Sequence, residues 1–281
     1  MNFLNPSIRL RGKIFTFDQP TIMGIINFTG DSFFEGSRVQ VVDEALRKAE
    51  AMHQEGATFV DLGATSTRPG AALSEASNEI TKLIPVIESI RKTIPELYIS
   101  VDTYHAEVAH ASVDAGADMI NDISGGSLDD KMFHTIGQLK VPYVLMHIKG
   151  RPDNMQLNPQ YEDVPREVYA YFTEKIKQLY EAGANDILVD PGFGFGKTLA
   201  HNYQLFNALP LFHQLRMPLL VGVSRKSMVN KVLGTTPEQA LNGTTVLHTL
   251  ALQMGAHILR VHDVKEARQA IDILNFAKNY T

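Results

Sequence analysis

The sequence contains no cysteine, which excludes disulfides, thiolate-bound zinc and a cysteine nucleophile. No apolar stretch is long enough to cross a bilayer, and Met1 to Phe17 lacks the apolar core of a signal peptide. Neither sign of charge dominates: 26 Lys and Arg stand against 31 Asp and Glu, for a net charge of -5 without a basic block. Nothing advertises a nucleic-acid surface or a polybasic membrane contact, and a cytoplasmic protein is expected. Low-complexity tracts and an interdomain linker are also missing. What remains is 281 residues of ordinary globular composition, 44% hydrophobic and 20% charged, enough for a large core. Length alone permits two domains of ~150 residues or one α/β barrel of ~250.

One punctuation recurs along the chain: Gly56-Ala57, Gly116-Ala117, Gly183-Ala184 and Gly255-Ala256. Each pair closes a segment with helical apolar spacing and is followed by a short apolar run ending in polar residues: Phe59 to Asp61, Met119 to Asp122, Ile187 to Asp190 and Ile258 to Arg260. That is the order helix, glycine stop, strand. Each gap between pairs is about twice the ~30 residues of one strand and helix unit, so a strand should lie between them. Tyr98 to Asp102, Tyr143 to His147 and Leu219 to Ser224 supply these, and Thr21 to Asn27 precedes the first pair, making eight strands. The intervening helices are expected at Val39 to Glu55, Glu75 to Thr93, Glu107 to Ala115, Asp129 to Leu139, Arg166 to Glu181, Asn202 to Leu215, Pro237 to Met254 and Val264 to Lys278. Eight alternating units with near-continuous apolar strands predict a (β/α)8 TIM barrel, with an open doubly wound sheet as the competing architecture. Residues 1–281 then form a single domain. Residues 1–20 are its N-terminal segment, in which Ile8 to Phe17 reads as a short hairpin around Gly12 that covers the barrel bottom.

In such a barrel the C-terminal strand ends face the active site. Here they carry Asn27, Asp61, Asp102, Asn121, Asp122, His147, Asp190, Ser224, Arg225, Arg260 and His262. One polar strand end is a common helix cap, but a ring of them predicts a convergent polar pocket for a small molecule. The run Gly192-Phe193-Gly194-Phe195-Gly196-Lys197-Thr198 imitates two other sites. A phosphate loop would need glycine where Pro191 stands, and a dinucleotide loop would need glycine where Lys197 stands.

Taken in order, the strand ends resemble the dihydropteroate synthase family, from about Thr21 to about Ile273. The matching blocks are Met23 to Phe33, Ser66-Thr67-Arg68-Pro69-Gly70, Ser100-Val101-Asp102-Thr103, Asn121 to Gly126, Leu145-Met146-His147, Asp190 to Lys197, Ser224-Arg225-Lys226-Ser227 and Arg260-Val261-His262-Asp263. The resemblance implies condensation of 6-hydroxymethyl-7,8-dihydropterin pyrophosphate with 4-aminobenzoate, giving 7,8-dihydropteroate and pyrophosphate in folate biosynthesis. A fixed carboxylate suits the flat guanidine-like edge of a pterin, which it can meet with two parallel hydrogen bonds. By the resemblance that carboxylate is Asp190, with Asn121, Asp102, Lys226, Arg260 and Met146 also on the pterin and Ile123 stacked against it. Arg260 and His262, with Arg68 and Asn27, would hold the pyrophosphate, and Asn27 would be a ligand of Mg2+. Phe33, Thr67, Arg68, Pro69, Phe195, Lys226 and Ser227 correspond to the aminobenzoate pocket, where sulfonamides would compete. Asp31 joins Asp102, Asp190, Lys226, Arg260 and His262 as a catalytic candidate, helping to hold a pterin cation formed when the carbon–oxygen bond breaks first. The family is usually a homodimer.

Two positions depart from the family pattern. Gly30 stands where proline is usual, and Thr65 where glutamate is usual. Glycine in place of proline gives the chain more freedom to lose on ordering, on the order of 1 kcal/mol, which predicts a raised aminobenzoate KM. Two other readings share the pterin carboxylates. A methyltransferase component would not need Lys226 together with Arg260 and His262; a regulatory pterin binder would bind without turnover.

Overall fold

Short apolar runs rich in branched side chains favour extended backbone, because such side chains lose little freedom in a pleated sheet. The computed structural model describes residues 5–28, 35–64 and 74–280, with the backbone alone at 35–38. Its first two strands, β1 (Ser7–Leu10) and β2 (Lys13–Thr16), form an antiparallel hairpin. Eight further strands make one parallel sheet: β3 (Thr21–Asn27), β4 (Phe59–Gly63), β5 (Tyr98–Asp102), β6 (Met119–Asp122), β7 (Tyr143–Met146), β8 (Ile187–Asp190), β9 (Leu220–Val221) and β10 (Ile258–Val261). Their order is β8-β7-β6-β5-β4-β3-β10-β9, and a parallel bridge from Val189 to Leu219 brings the two ends together. The expected (β/α)8 barrel is therefore the fold, and the open doubly wound sheet is excluded.

The helices are α1 (Glu35–Gln54), α2 (Ala76–Thr93), α3 (Ala106–Asp114), α4 (Met132–Leu139), α5 (Val164–Glu181), α6 (Leu199–Asn207), α7 (Ser227–Leu233), α8 (Leu241–Gln253) and α9 (Val264–Lys278). Two expected helices are divided. Asn202 to Leu215 breaks at Ala208 into α6 and a 3-10 turn, Leu209–Leu215, where Pro210 cannot supply the N–H that α6 would need to continue. Pro237 to Met254 breaks into a 3-10 turn, Pro237–Gln239, and α8. The seven-residue α7 was not expected as a helix. Among the described residues, no helix is long and apolar enough to cross a membrane.

Side chains alternate across a strand, and here the alternation separates floor, site and shell. Met23, Phe59, Met119, Val144, Leu188, Leu220 and Ile258 point into the barrel and cluster with Ile8, Leu10 and Phe17 of the hairpin segment. Their sequence neighbours Ile22, Val60, Ile120, Leu145, Val189, Val221 and Leu259 pack outward against the helices. The hairpin thus covers the bottom of the barrel, as expected. It is fixed there by Arg11, whose Nε and Nη2 donate to the two carboxylate oxygens of Asp118 at 2.7 and 3.0 Å, while Nη2 also donates to the Leu97 carbonyl at 2.8 Å. Arg91 meets the same carboxylate from α2. Two residues beyond the apolar floor, the same inward parity places Asp61, Asn121, Met146, Asp190, Gly222 and Arg260 on one level.

Candidate active site

Asp61 is the hub of that inward level. It is wholly buried, and an isolated carboxylate there would be costly unless its oxygens were filled. Ser100 Oγ donates to Oδ1 at 2.6 Å, while Asn121 Nδ2 and Arg260 Nε donate to Oδ2 at 2.9 and 2.6 Å. Arg260 Nη2 then reaches Asp102 Oδ2 at 2.9 Å, so one guanidinium spans the two carboxylates. The other oxygen of Asp102, Oδ1, is buried without a hydrogen-bond partner among the described residues. Such an acceptor suits an N–H brought by a ligand. Burial pushes the Asp102 carboxyl up to about 7; Arg260 opposes this, and Asp61, Glu79 and Asp122 add to it.

A second edge of the site is built from β8, β9 and α7. Asp190 Oδ1 accepts from the Gly192 N–H at 2.8 Å, which orients the carboxylate. A Cβ at Gly222 would lie 3.9 Å from Asp190 Oδ2, 3.7 Å from Lys226 Nζ and 3.8 Å from Arg260 Cβ, so these three groups border one small space. Lys226 occupies the N-cap of α7 and donates from Nζ to the Phe193 carbonyl at 2.7 Å, with Nζ 5.0 Å from the centre of the Phe195 ring. Burial lowers its ammonium to about 8 against the pull of Asp190. Burial raises the Asp190 carboxyl, with Lys226 opposing. Met146 and Ile123 lie in one apolar cluster with Tyr104, Ile148 and Met155, and Phe195 packs against it.

Asp102, Asn121, Met146, Asp190, Lys226 and Arg260 are thus brought together, with Phe195 beside them. Asn27 lies at the end of β3 on the rim, and His262 Nδ1 is 3.0 Å from Ser224 Oγ after β10. Ser227 opens α7 and is exposed. Asp31, Phe33, Thr67, Arg68 and Pro69, like Gly30 and Thr65, lie outside the described residues.

Three members of the expected ring of strand-end polar groups do not face the pocket. Asp122 has outward parity and is filled by Tyr143 Oη at 2.7 Å and the Ser124 and Gly126 N–H groups at 2.7 and 2.9 Å. His147, also outward, meets Lys197 Nζ and the edge of Tyr171. Arg225 turns to Asp263 in a two-pronged bridge at 2.9 and 2.6 Å, its own backbone left-handed at φ 54°. Each follows an inward residue, so the period of two separates them from Asn121, Met146 and Ser224. The same period would have promoted Asp61 from a strand-end candidate to the centre of the network.

A family model described as pterin binding enzyme matches residues 23–262. The dihydropteroate synthase of Escherichia coli (strain K12) is 42% identical over 266 residues, covering 94% of each chain. A Yersinia pestis dihydropteroate synthase solved with a sulfonamide drug complex superposes with a TM-score of 0.90 at 40% identity, covering 98% of this chain and 100% of that one. The Xanthomonas albilineans dihydropteroate synthase solved with 4-aminobenzoic acid gives a TM-score of 0.89 at 39% identity, covering 98% of both. A family match across most of the barrel, joined to relatives that align from end to end, leads to one conclusion: the chain belongs to the pterin-binding enzyme family.

Proposed function

We infer that the protein joins 6-hydroxymethyl-7,8-dihydropterin pyrophosphate to 4-aminobenzoate, releasing pyrophosphate and forming 7,8-dihydropteroate. The observation that carries this reading is the partnerless buried Oδ1 of Asp102, set among Asn121, Arg260, Asp190 and Lys226. Asp190 accepts two N–H groups of the pterin edge, Asn121 offers donor and acceptor to the adjoining ring atoms, and Asp102 Oδ1 accepts the reduced-ring N–H. Lys226 donates to the pterin carbonyl, and Met146 and Ile123 cover the ring. The bond from the methylene carbon to oxygen breaks with its electron pair leaving on pyrophosphate. The neutral amine of aminobenzoate then gives its lone pair to that carbon and loses a proton. Arg260, His262, Arg68 and Asn27 favour the departing charge, which grows as the bond breaks. Asp31 helps to hold the cation, and no covalent enzyme intermediate forms. Phe33, Thr67, Arg68, Pro69, Phe195, Lys226 and Ser227 border the aminobenzoate, and sulfonamides compete for the same place.

Magnesium fits this site as an ion held mainly by substrate. Among the described residues, no group of three or more His, Cys, Asp or Glu could hold a metal. Asn27 Oδ1, however, sits 2.6 Å from where a Gly63 Cβ would be, a position kept open by the glycine. That oxygen would hold Mg2+ together with pyrophosphate and water, and the ion would neutralise the leaving group. The same reading places the enzyme in the cytoplasm. It also places it in a homodimer, supported by the exposed apolar side chains Val232 and Leu233 on α7 and Val246 and Leu250 on α8. Sedimentation giving only monomer contradicts the dimer.

The deciding experiment incubates the protein with both substrates and Mg2+, following dihydropteroate by mass and pyrophosphate release. Product that requires all three components is expected. Pterin binding without product overturns the reading. Asp190→Ala should abolish pterin binding, and retained affinity would displace the pocket.

A further inference from the structure

The glycine-rich run after β8 is neither a phosphate loop nor a dinucleotide loop, and the reaction above draws on Asp190 just before it and on Phe195 within it. Its lysine, Lys197, is 3% exposed. A buried ammonium is costly unless its N–H groups are all used. Lys197 Nζ donates to the Gly192 carbonyl at 2.9 Å and to the Phe195 carbonyl at 3.0 Å, and lies 2.9 Å from His147 Nδ1. The His147 carbonyl is further off, at 3.4 Å. The three near contacts saturate an ammonium when His147 carries its proton on Nε2.

These partners come from three places: the turn beyond Asp190, the backbone of Phe195 and the residue just past β7. The run between them curls through left-handed backbone at Gly192, Gly194 and Gly196. It lies so close to the segment after β7 that a Cβ at Gly192 would come 2.0 Å from the His147 carbonyl oxygen. Carbonyl oxygens drawn together in this way repel one another unless a cation collects them. Lys226 binds the same run through the Phe193 carbonyl. The Phe195 backbone is therefore held by Lys197, and its ring lies beside Lys226 Nζ.

We propose that Lys197 is a positioning residue for the second substrate: by collecting the Gly192 and Phe195 carbonyls it fixes the Phe195 ring beside Lys226 and so shapes the aminobenzoate side of the site. The proposal rests on the placement of aminobenzoate against Phe195. Lys197 itself touches neither substrate.

The test compares Lys197→Met, Phe195→Ala and the double variant, measuring aminobenzoate KM, kcat and calorimetric binding of the pterin substrate. Lys197→Met should raise aminobenzoate KM by about tenfold, the scale of a modest misplacement, with a smaller change in kcat and retained pterin affinity. Because Lys197 acts through the ring, it should add no further rise in the Phe195→Ala background. A purely structural role would lower Tm and the active fraction but leave the KM of the folded enzyme unchanged. An unchanged KM in folded Lys197→Met, alongside a raised one in Phe195→Ala, overturns this proposal alone. An unchanged KM in Phe195→Ala overturns the placement of aminobenzoate, and the proposal with it. Should Lys197→Met fail to fold, His147→Leu decides: it removes one of the three acceptors, a raised KM supports the assignment, and an unchanged KM overturns it.

Discussion

The titration of two side chains should set the pH range of the reaction. Asp102 must be a carboxylate to accept the reduced-ring N–H, and burial pushes its carboxyl up to about 7. Lys226 must be an ammonium to donate, and burial brings it down to about 8. Raising pH through the first value gains the needed charge, and raising it through the second loses one. The pH profile of kcat/KM for the pterin substrate, which reports the free enzyme, is therefore expected to be bell-shaped with its maximum between the two limbs. Steady-state rates across that range check it, and Lys226→Arg should remove the alkaline limb. Asp61 extends the argument to a residue that touches no proposed substrate atom. In Asp61→Asn, Arg260 Nε loses its carboxylate and Asn121 Nδ2 loses a charged acceptor. Charge-assisted hydrogen bonds of this kind are worth about 1.5–3 kcal/mol each, so kcat/KM should fall by about a hundredfold.

At the scale of the element, β9 and its continuation carry a glycine where every other strand level offers a side chain. In Gly222→Ala the new methyl would stand at ordinary contact distance from Asp190 Oδ2, Lys226 Nζ and Arg260 Cβ. Nothing in the fold has to move, so Tm should stay within a few degrees, while a methyl at the centre of the pterin edge should cost at least about tenfold in pterin affinity. Calorimetry beside a melting curve separates the two effects. This position shows how legible the elements were. Phe59 to Asp61 and Ile187 to Asp190 could be read as strands because each is an apolar run bounded by a Gly-Ala stop. Seven-residue α7 could not, because two turns offer too little apolar period to stand apart from a loop. Pro237 opens the segment of helical spacing that runs to Met254, and only the 3-10 geometry at Pro237–Gln239 reveals the break. At the site, residue types were legible and facing was not. Asn121 and Asp122 are adjacent and equally polar, yet one lines the pocket and the other ties down Tyr143.

For the whole molecule, the barrel floor and the chemistry lie at opposite ends of the same strands. Phe17 is 3% exposed and packs against the floor with Ile8 and Leu10. Phe17→Ala should cost about 3–5 kcal/mol by leaving a cavity there. Urea unfolding should register that loss while kcat at moderate temperature holds, because Met146 and Ile123 of the proposed site belong to an apolar cluster separate from that of the floor.

The closure of the barrel is uneven. β3 and β4 pair over five positions, whereas β9 pairs with β10 over two and meets β8 through the single Val189 to Leu219 bridge. The ring of strands therefore has a seam, and the seam runs between Asp190 on one lip and the Lys226 turn on the other. Hydrogen exchange at Val189 and Leu220 should be faster than at Val60 and Leu62, since local opening follows the weakest ladder. A pterin held by both lips would act as a staple across that gap. Its binding should slow exchange at the seam far more than on the opposite side of the ring, so that in this barrel the substrate itself completes the hoop.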